Sequence, residues 1–310
     1  MTNGIRNGGG AGNGRRPTRG PRSDAPRSDA PRSGAARALA RAAALCAALG
    51  ASAAEAACGA DPGPCEAPNG TYHIALPAGV EAPRALVFLH GWGANGEAMI
   101  RMLEGPVTAR GWALIAPDGV PREDRSGRSW GFHPDRPSAR DEIAFIRGVL
   151  DHAAEAHGVD AAGSALGGFS IGGSMASYLA CAAPEAFAAF VPVGGSFWRP
   201  HPEGCAGPVR LRHVHGWRDG TVPLEGRVVG SGFVQGDVHH AMDLWRRANG
   251  CGNHRATHFE TSADRWVRVW TECDSGTALE LELFDGGHAV PRGWTDRTID
   301  WLEGLDGPAD

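Results

Sequence analysis

The chain has 310 residues, of which 42% are hydrophobic, enough for one large α/β domain with a substantial core. All 30 basic residues are arginine, and the net charge of −5 conceals an asymmetry: residues 1–53 carry nine arginines and two acids, whereas the remainder carries 21 arginines and 33 acids. The acidic body argues against a nucleic-acid partner. It also contains no apolar run of about 18 residues, which argues against a membrane span.

Two N-terminal segments are predicted to lie outside the domain. Residues 1–37 are rich in Gly, Arg, Pro and Ser and contain a near-repeat, a composition typical of a disordered arm. Residues 38–57 have the apolar region and small-residue cleavage zone of a secretory signal peptide. A short Ala-rich helix and a lipoprotein site at Cys58 are the alternatives. We therefore expect one catalytic domain over residues 58–310 of a secreted or periplasmic, extracellular-type protein.

The cysteines suggest disulfides. Removal of the leader would take Cys46 with it and leave six, and an even number in an exported protein is typical of disulfide pairing. Six cysteines allow fifteen pairings. Proximity in the sequence favours the pairs Cys58–Cys65, Cys181–Cys205 and Cys251–Cys273. The chain has no Cys/His spacing typical of zinc ligands, so neither a metal nor another cofactor is expected.

Strand and helix patterns alternate along the body, which predicts an α/β fold with a mostly parallel sheet and helices on both faces. Apolar runs predict strands at 71–76, 85–89, 112–116, 188–193, 210–215, 266–271 and 279–284. Helical periodicity predicts helices ending near 109 and 305, over 141–156 and 237–249, and directly after residue 170. Residues 120–138 form a predicted loop of a length that tends to be functional.

The sequence Gly-Phe-Ser-Ile-Gly at 168–172 is typical of a nucleophile elbow, a sharp strand-to-helix turn that presents a serine. Glycines two residues before and after Ser170 would remove Cβ atoms that clash in such a turn. The Ile171 amide would then lie at a helix N-terminus, where it could donate to an oxyanion. The alternative is a Gly-rich strand end packed closely on a helix.

Ser170 follows the short apolar run that leads into Gly168, and Asp219 and His288 follow the predicted strands 210–215 and 279–284; their chain order is the one expected of an α/β-hydrolase. A serine hydroxyl needs an imidazole to take its proton and a carboxylate to orient that imidazole. Asp285 is a competitor for the carboxylate role. The Trp92 amide, in a Gly-rich turn, is the candidate for the second oxyanion donor.

Several other histidines and tryptophans lie near the predicted strand ends. We expect His90 to order its own turn, and structural roles for His213, His215, His239 and His240, since no carboxylate or thiol partners accompany them. Tryptophans in the loops at the predicted active edge suggest an apolar substrate cleft, although core packing accounts for a typical tryptophan. The candidates for substrate contact are Trp130, Trp198, Trp217 and Trp294.

These motifs together resemble a family of secreted esterases related to poly(3-hydroxybutyrate) depolymerase and feruloyl esterase, within the α/β-hydrolase superfamily. The matching segments are 89–91, Trp130, 141–145, 168–173, 215–223 and 286–291. The resemblance implies the α/β-hydrolase fold and Ser170, Asp219 and His288 as the catalytic triad. The segment 159–164 lacks an Arg often found in relatives, and Ala289-Val290 replaces an aromatic residue. These departures concern substrate preference more than catalysis.

The resulting functional prediction is a secreted serine esterase that works through an acyl-enzyme. Hydroxyalkanoate oligomers or polymer, such as poly(3-hydroxybutyrate), are the first predicted substrates, and feruloyl or acetyl esters of plant polysaccharide are the alternative. A peptidase and a catalytically silent hydrolase-fold binding protein are further hypotheses. The predicted partner is the ester substrate, and the sequence makes no prediction of oligomeric state.

Overall fold

The computed structural model describes residues 57–58, 61–123, 126–136, 138–230, 232–274 and 276–306. The predicted disordered arm and nearly all of the predicted signal segment lie outside these ranges, as does Cys46. The described residues fall within one compact unit, Ala51–Asp310. No helix in this part of the chain is long and apolar enough to cross a bilayer.

The strands of the described residues, in chain order, are β1 Ala57–Cys58, β2 Asp61–Pro62, β3 Cys65–Ala67, β4 Gly70–Ala75, β5 Arg84–Leu89, β6 Ala113–Pro117, β7 Val120–Pro121, β8 Arg128–Ser129, β9 Asp160–Phe169, β10 Ala189–Val193, β11 Trp198–Arg199, β12 Arg210–Gly216, β13 Val228–Val229, β14 Phe233–Gln235, β15 His258–Thr261, β16 Arg265–Trp270 and β17 Ala278–Phe284. The α-helices are α1 Gly96–Thr108, α2 Glu142–His157, α3 Ile171–Ala182, α4 Val238–Ala248 and α5 Trp294–Gly304.

A central sheet joins twelve of these strands, in the order β15-β16-β17-β12-β10-β9-β5-β6-β4-β1-β2, with β3 paired to β4. The six strands from β17 to β6 run parallel. The flanking strands β16 and β4 are antiparallel to their neighbours. Parallel strands are buried on both faces and therefore consist of continuous apolar runs, such as Ala-Leu-Val-Phe-Leu in β5.

Helices cover both faces of the sheet, as the alternation along β5 illustrates. Val87 and Leu89 point into a core cluster that contains the buried sides of α2, α3 and α4. Leu86 and Phe88 point into a second cluster that contains the buried sides of α1 and α5. The predicted fold class, a mostly parallel sheet with helices on both faces, is therefore confirmed.

The predicted elements match the observed ones to within a residue at each end. The sequence analysis missed mainly short or exposed strands. Strands β1 to β3 form an antiparallel edge, and β11, β14 and β13 form a separate small sheet. Within the predicted loop 120–138, β7 and β8 form a two-stranded ladder. Strand β15 is exposed along its whole length. Strands of two or three residues are too short for an apolar period, and an exposed edge strand has none.

Three disulfides are present, and their pairing is the one that sequence proximity favours. Cys58–Cys65 links β1 to β3, Cys181–Cys205 ties α3 to the loop before β12, and Cys251–Cys273 connects the segment after α4 to the turn after β16. His157 lies near the first pair, at 3.6 Å from Cys65 Sγ. Because both sulfurs are bonded to each other, this grouping is not a thiolate metal site.

Candidate active site

Ser170 occupies the turn between β9 and α3. Its backbone has φ 59° and ψ −121°, and its amide donates to the Val193 carbonyl of the neighbouring strand at 2.9 Å. A positive φ is uncommon for a residue with a Cβ and costs about 1–3 kcal/mol, which the surrounding structure must supply. The strained turn has the geometry of a nucleophile elbow, which lifts a serine hydroxyl out of the sheet.

Two glycines permit this turn by letting backbones approach closely. A Cβ on Gly168 would lie 2.5 Å from the Gly172 carbonyl oxygen. A Cβ on Gly172 would lie 2.3 Å from the Leu89 carbonyl oxygen and 2.6 Å from that of His90. Since real Cβ contacts are never this short, a side chain at Gly168 would force α3 away from β9, and one at Gly172 would force α3 away from the end of β5. The glycine spacing that predicted the elbow is thus a packing requirement between a helix and two strands.

Three side chains from separate strand ends meet at the elbow. His288 Nε2 lies 2.8 Å from Ser170 Oγ, and His288 Nδ1 lies 2.7 Å from Asp219 Oδ2. Asp219 follows β12 and His288 follows β17, and these strands are parallel neighbours whose carboxyl ends share one edge of the sheet. The serine hydroxyl can donate to Nε2 while Nδ1–H donates to the carboxylate. This is the arrangement that activates a serine for nucleophilic attack.

The Asp219 carboxylate is buried but fully supplied with donors. Its Oδ1 accepts from the Thr221 amide at 2.9 Å and from the Val222 amide at 2.8 Å. Burial raises the pKa of Asp219, but the hydrogen bonds from His288 and Val222 outweigh it, so the pKa lies below its usual value. The carboxylate is therefore charged at neutral pH. The competitor Asp285 is instead ion-paired with Arg218 at 2.6 Å.

The two predicted oxyanion donors lie on segments that border the elbow. Ile171 begins α3 directly after Ser170, so its amide is at the helix N-terminus. Trp92 lies in the turn after β5, and a Cβ on the preceding Gly91 would come within 3.6 Å of Ser170 Cβ. Both residues line the same cleft. The Trp92 side chain is 56% exposed, and the Arg122 guanidinium lies 3.8 Å from its ring centroid.

His90 orders its own turn, as expected. It is buried, its Nε2 accepts from the Gly119 amide at 3.0 Å, and its Nδ1 is 2.8 Å from the Gly91 carbonyl oxygen. Since a carbonyl can only accept, Nδ1 carries the proton. Burial lowers the pKa of His90, which keeps the ring neutral. Its carbonyl accepts from Trp130 Nε1 at 2.9 Å and so anchors the loop that carries Trp130.

A cleft of about 410 Å³ opens beside Ile171 and Trp92. Its walls are largely aromatic, with side chains supplied by two loops and the small sheet: Trp92, Trp130, Phe132, His133, Trp198 and Phe233. Trp130 is buried in the wall, and Trp198 is half-buried with its Nε1 donating to Ser174 Oγ at 3.3 Å. An apolar cleft with a few polar groups is typical of a small-molecule site.

Two of the four tryptophans predicted to contact substrate lie elsewhere. Trp294 is 1% exposed and packs edge-on against Phe88 in the core between α5 and the sheet, so its prediction is wrong. Its place at the first turn of a helix gave no sign of which way the ring points. Trp217 packs against Trp266 of β16 in a tilted arrangement, with ring centroids 5.1 Å apart, and does not line this cleft.

Phe233 is a cleft residue that the sequence analysis missed. It belongs to β14, which pairs with β11 and so brings Phe233 next to Trp198, with ring centroids 6.1 Å apart. The two residues are far apart in sequence, and the pairing of two very short strands leaves no periodic signal. Phe132, in contrast, could have been found, because it lies in the same predicted functional loop as Trp130.

The chain is similar in sequence to known esterases. A family model described as phospholipase/carboxylesterase matches residues 73–235, more than half of the chain. A protein of Nocardia uniformis subsp. tsuyamanensis, provisionally named esterase NocK, is 35% identical over 244 residues, which cover 71% of this chain and 68% of that protein. Feruloyl esterase C of Emericella nidulans is 27% identical over 231 residues, which cover 70% of this chain and 75% of that protein.

Solved structures show the same fold at low sequence identity. The acetyl xylan esterase from Aspergillus awamori superposes with a TM-score of 0.55 at 17% identity, covering 76% of this chain and 94% of its own. A carboxylesterase from Mesorhizobium loti gives a TM-score of 0.51 at 20% identity, covering 76% and 95%. With the family match over residues 73–235, these findings place the protein: it is an esterase that belongs to the phospholipase/carboxylesterase family of the α/β-hydrolase superfamily.

Proposed function

We propose that this esterase is a serine esterase whose nucleophile is Ser170, with His288 as general base and acid and Asp219 as the carboxylate that orients His288. The observation that carries the proposal is the continuous hydrogen-bond chain of 2.7 Å and 2.8 Å through the two nitrogens of His288. The ionised Asp219 stabilises the imidazolium that forms when His288 takes a proton.

The reaction proceeds in two halves through an acyl-enzyme. Ser170 Oγ attacks the ester carbonyl carbon while its proton passes to His288 Nε2. The tetrahedral intermediate collapses when His288 returns this proton to the leaving alcohol, and the acyl group remains on Ser170 Oγ. A water molecule then gives a proton to His288 and attacks the acyl-enzyme. The second tetrahedral intermediate that this attack forms then collapses, and His288 returns the proton to Ser170 Oγ. The carboxylic acid is released and the serine hydroxyl is restored.

The oxyanion of each intermediate would be held by the amides of Ile171 and Trp92. The position of Ile171 at the start of α3 supports its role, because the helix dipole and the unpaired first-turn amides favour negative charge there. The Gly91–Trp92 turn borders the elbow, which supports Trp92 as the second donor. Loss of one such donor typically costs about 10²–10³ in rate.

The cleft supports an aromatic acyl group, of the hydroxycinnamoyl class, as the preferred substrate. Aromatic rings of substrate and protein attract one another in stacked or edge-on arrangements beyond the area they bury. The rings of Trp198 and Phe233 each make an edge-to-face contact with the ring of His133. These three rings together form one aromatic wall of the cleft. The name of the Emericella nidulans relative, feruloyl esterase C, supports the same class.

Hydroxyalkanoate oligomers or polymer, including poly(3-hydroxybutyrate), are the second candidate. The motifs around His90, Ser170, Asp219 and His288 support it, since they resemble depolymerases of this polyester. An apolar cleft of about 410 Å³ has room for such an acyl chain. The lining, however, contains more aromatic than aliphatic side chains, which favours an aromatic acyl group.

The three disulfides support export, because disulfides persist in oxidising compartments such as the periplasm or the extracellular space. We therefore propose that the enzyme works outside the cytoplasm, after removal of the segment before Cys58.

The test compares product release from methyl ferulate and from a hydroxybutyrate oligomer, with Ser170→Ala as the control. Release of ferulate with little attack on the oligomer is the expected result. Oligomer hydrolysis alone would transfer the assignment to the second candidate. Failure of folded wild-type protein to react with a fluorophosphonate at Ser170 would overturn the serine mechanism and favour a catalytically silent binding protein.

A further inference from the structure

Two buried histidines lie directly behind the proposed triad. His213 and His215 are alternate residues of β12 and therefore point to the same face of the sheet. They are 1% and 0% exposed, and their rings are nearly parallel, with planes 6° apart and centroids 5.3 Å apart. Burying two imidazoles costs free energy unless their nitrogens are hydrogen-bonded. Their partners therefore indicate what they contribute.

The hydrogen bonds fix the tautomer of each ring. His215 Nε2 lies 2.7 Å from the Val222 carbonyl oxygen, which can only accept, so this nitrogen carries the proton. In a neutral ring, His215 Nδ1 is then an acceptor. It lies 3.1 Å from His213 Nε2, which must therefore donate. A single carbonyl thus sets the direction of both hydrogen bonds.

The charges around the pair keep both rings neutral. Burial lowers the pKa of His213 and of His215, and the neighbouring histidines add to this effect. The titratable groups that face the pair are Asp219 on the following loop, His288 beyond β17 and His239 on α4. The hydrogen bond to the Val222 carbonyl and the charge of Asp219 favour the charged form of His215, and burial outweighs both. The pair therefore acts as a fixed row of dipoles and not as a proton relay.

Val222 connects this row to Asp219. Its amide donates to Asp219 Oδ1 at 2.8 Å, while its carbonyl accepts from His215 at 2.7 Å. The loop 219–222 wraps around the carboxylate, and His215 ties the far end of that loop back to β12. The same ring nitrogen lies 3.6 Å from Asp219 Oδ2, the oxygen that faces His288. His215 is therefore close to the carboxylate oxygen that faces His288, although its N–H is bound to the Val222 carbonyl.

We propose that His215 is a positioning residue for ester hydrolysis: by binding the Val222 carbonyl it holds the loop that presents Asp219 to His288, while His213 donates to its other ring nitrogen. This inference rests on the proposed triad. A displacement of about 1 Å in a catalytic group can lower a rate by 10²-fold. Loss of the His215 hydrogen bond is thus expected to lower kcat by about 10- to 100-fold, with little change in KM, because His215 is fully buried and does not line the cleft.

The test uses paired amide substitutions that place a donor at different distances. In His215→Gln the terminal amide reaches roughly the position of Nε2 and can still donate to the Val222 carbonyl, whereas the shorter side chain of His215→Asn reaches only that of Nδ1. We expect His215→Asn and His215→Leu to lose kcat and His215→Gln to recover most of it. Rates are expressed per site labelled to completion by a fluorophosphonate, so that unfolded protein is not counted.

His73→Leu is the matched control. Like His215, His73 is buried, and its Nε2 lies 3.6 Å from a carboxylate oxygen, here that of Asp118. His73 lies on β4, however, which is toward the opposite edge of the sheet from β12. The His73→Leu substitution should lower the stability of the protein without changing kcat per labelled site.

Three results would overturn the inference: His215→Asn with kcat within about twofold of wild type, His215→Gln as impaired as His215→Leu, or a loss confined to KM. If His215→Leu does not fold, the Asn and Gln pair decides. Failure of the proposed triad is distinguishable, because wild-type protein would then not label at Ser170 at all.

Discussion

Asp219→Asn tests the proposed triad directly, because Asn has the shape of Asp but replaces one acceptor by a donor. Oδ1 of residue 219 accepts from two amides, those of Thr221 and Val222. Only the carbonyl oxygen of an asparagine can occupy that place. The asparagine NH₂ group is therefore forced into the position of Oδ2, which lies 2.7 Å from His288 Nδ1.

This placement reverses the tautomer of His288. Two N–H groups cannot hydrogen-bond to each other, so Nδ1 becomes an acceptor and the proton moves to Nε2, which faces Ser170 Oγ at 2.8 Å. A protonated Nε2 cannot take the serine proton. The loss expected from such a reversal is about 10⁴ in kcat, or about 5 kcal/mol of transition-state stabilisation. KM should change little, because the cleft is untouched.

The assay is the initial rate of hydrolysis of an activated aryl ester, with Asp285→Asn as the matched control. Asp285 is ion-paired with Arg218 near the surface, and its loss should change kcat by no more than about twofold. Retention of more than about a tenth of the wild-type kcat in Asp219→Asn would refute the tautomer reasoning. A large loss in Asp285→Asn would instead return the carboxylate role to the competitor.

Three further predictions concern stability and the cleft. Replacing both Cys181 and Cys205 by Ser opens a loop with a sequence separation of 24 and should lower the free energy of unfolding by about 3 kcal/mol, measured by urea denaturation against oxidised wild type; equal stabilities would contradict it. Burial raises the pKa of Asp118, but its hydrogen bonds outweigh this and lower the pKa to about 2. Because this folded value lies below the unfolded value of about 4, the contribution is present above pH ~4 and is lost as the pH falls toward 2. It amounts to about 2 kcal/mol, and the pH dependence of unfolding should be correspondingly weaker in Asp118→Asn. Trp198→Ala should raise KM for methyl ferulate about tenfold, whereas Trp217→Ala, outside the cleft, should leave it unchanged; the reverse order would move the substrate site.

The sequence predicted most of the central fold because its signals are local. Continuous apolar runs marked the parallel strands, and the glycines at 168 and 172 marked the elbow, where a Cβ has no room. Asp219 and His288 were predicted because each follows a strand, and parallel strands bring their carboxyl ends to one edge. None of these inferences depended on the order of the strands in the sheet.

Tertiary structure decided the features that depend on strand order and on the direction of side chains. The ring of Trp294 fills the core under the sheet, although the same residue at the start of a helix could equally have faced solvent. Phe233 reaches the cleft only because β14 pairs with β11, a contact between short strands that carry no period of their own. His215 became a candidate positioning residue only through its distance to Val222. An apolar pattern records how strongly a segment is buried, whereas the partner that buries it is set by long-range packing that no local pattern encodes.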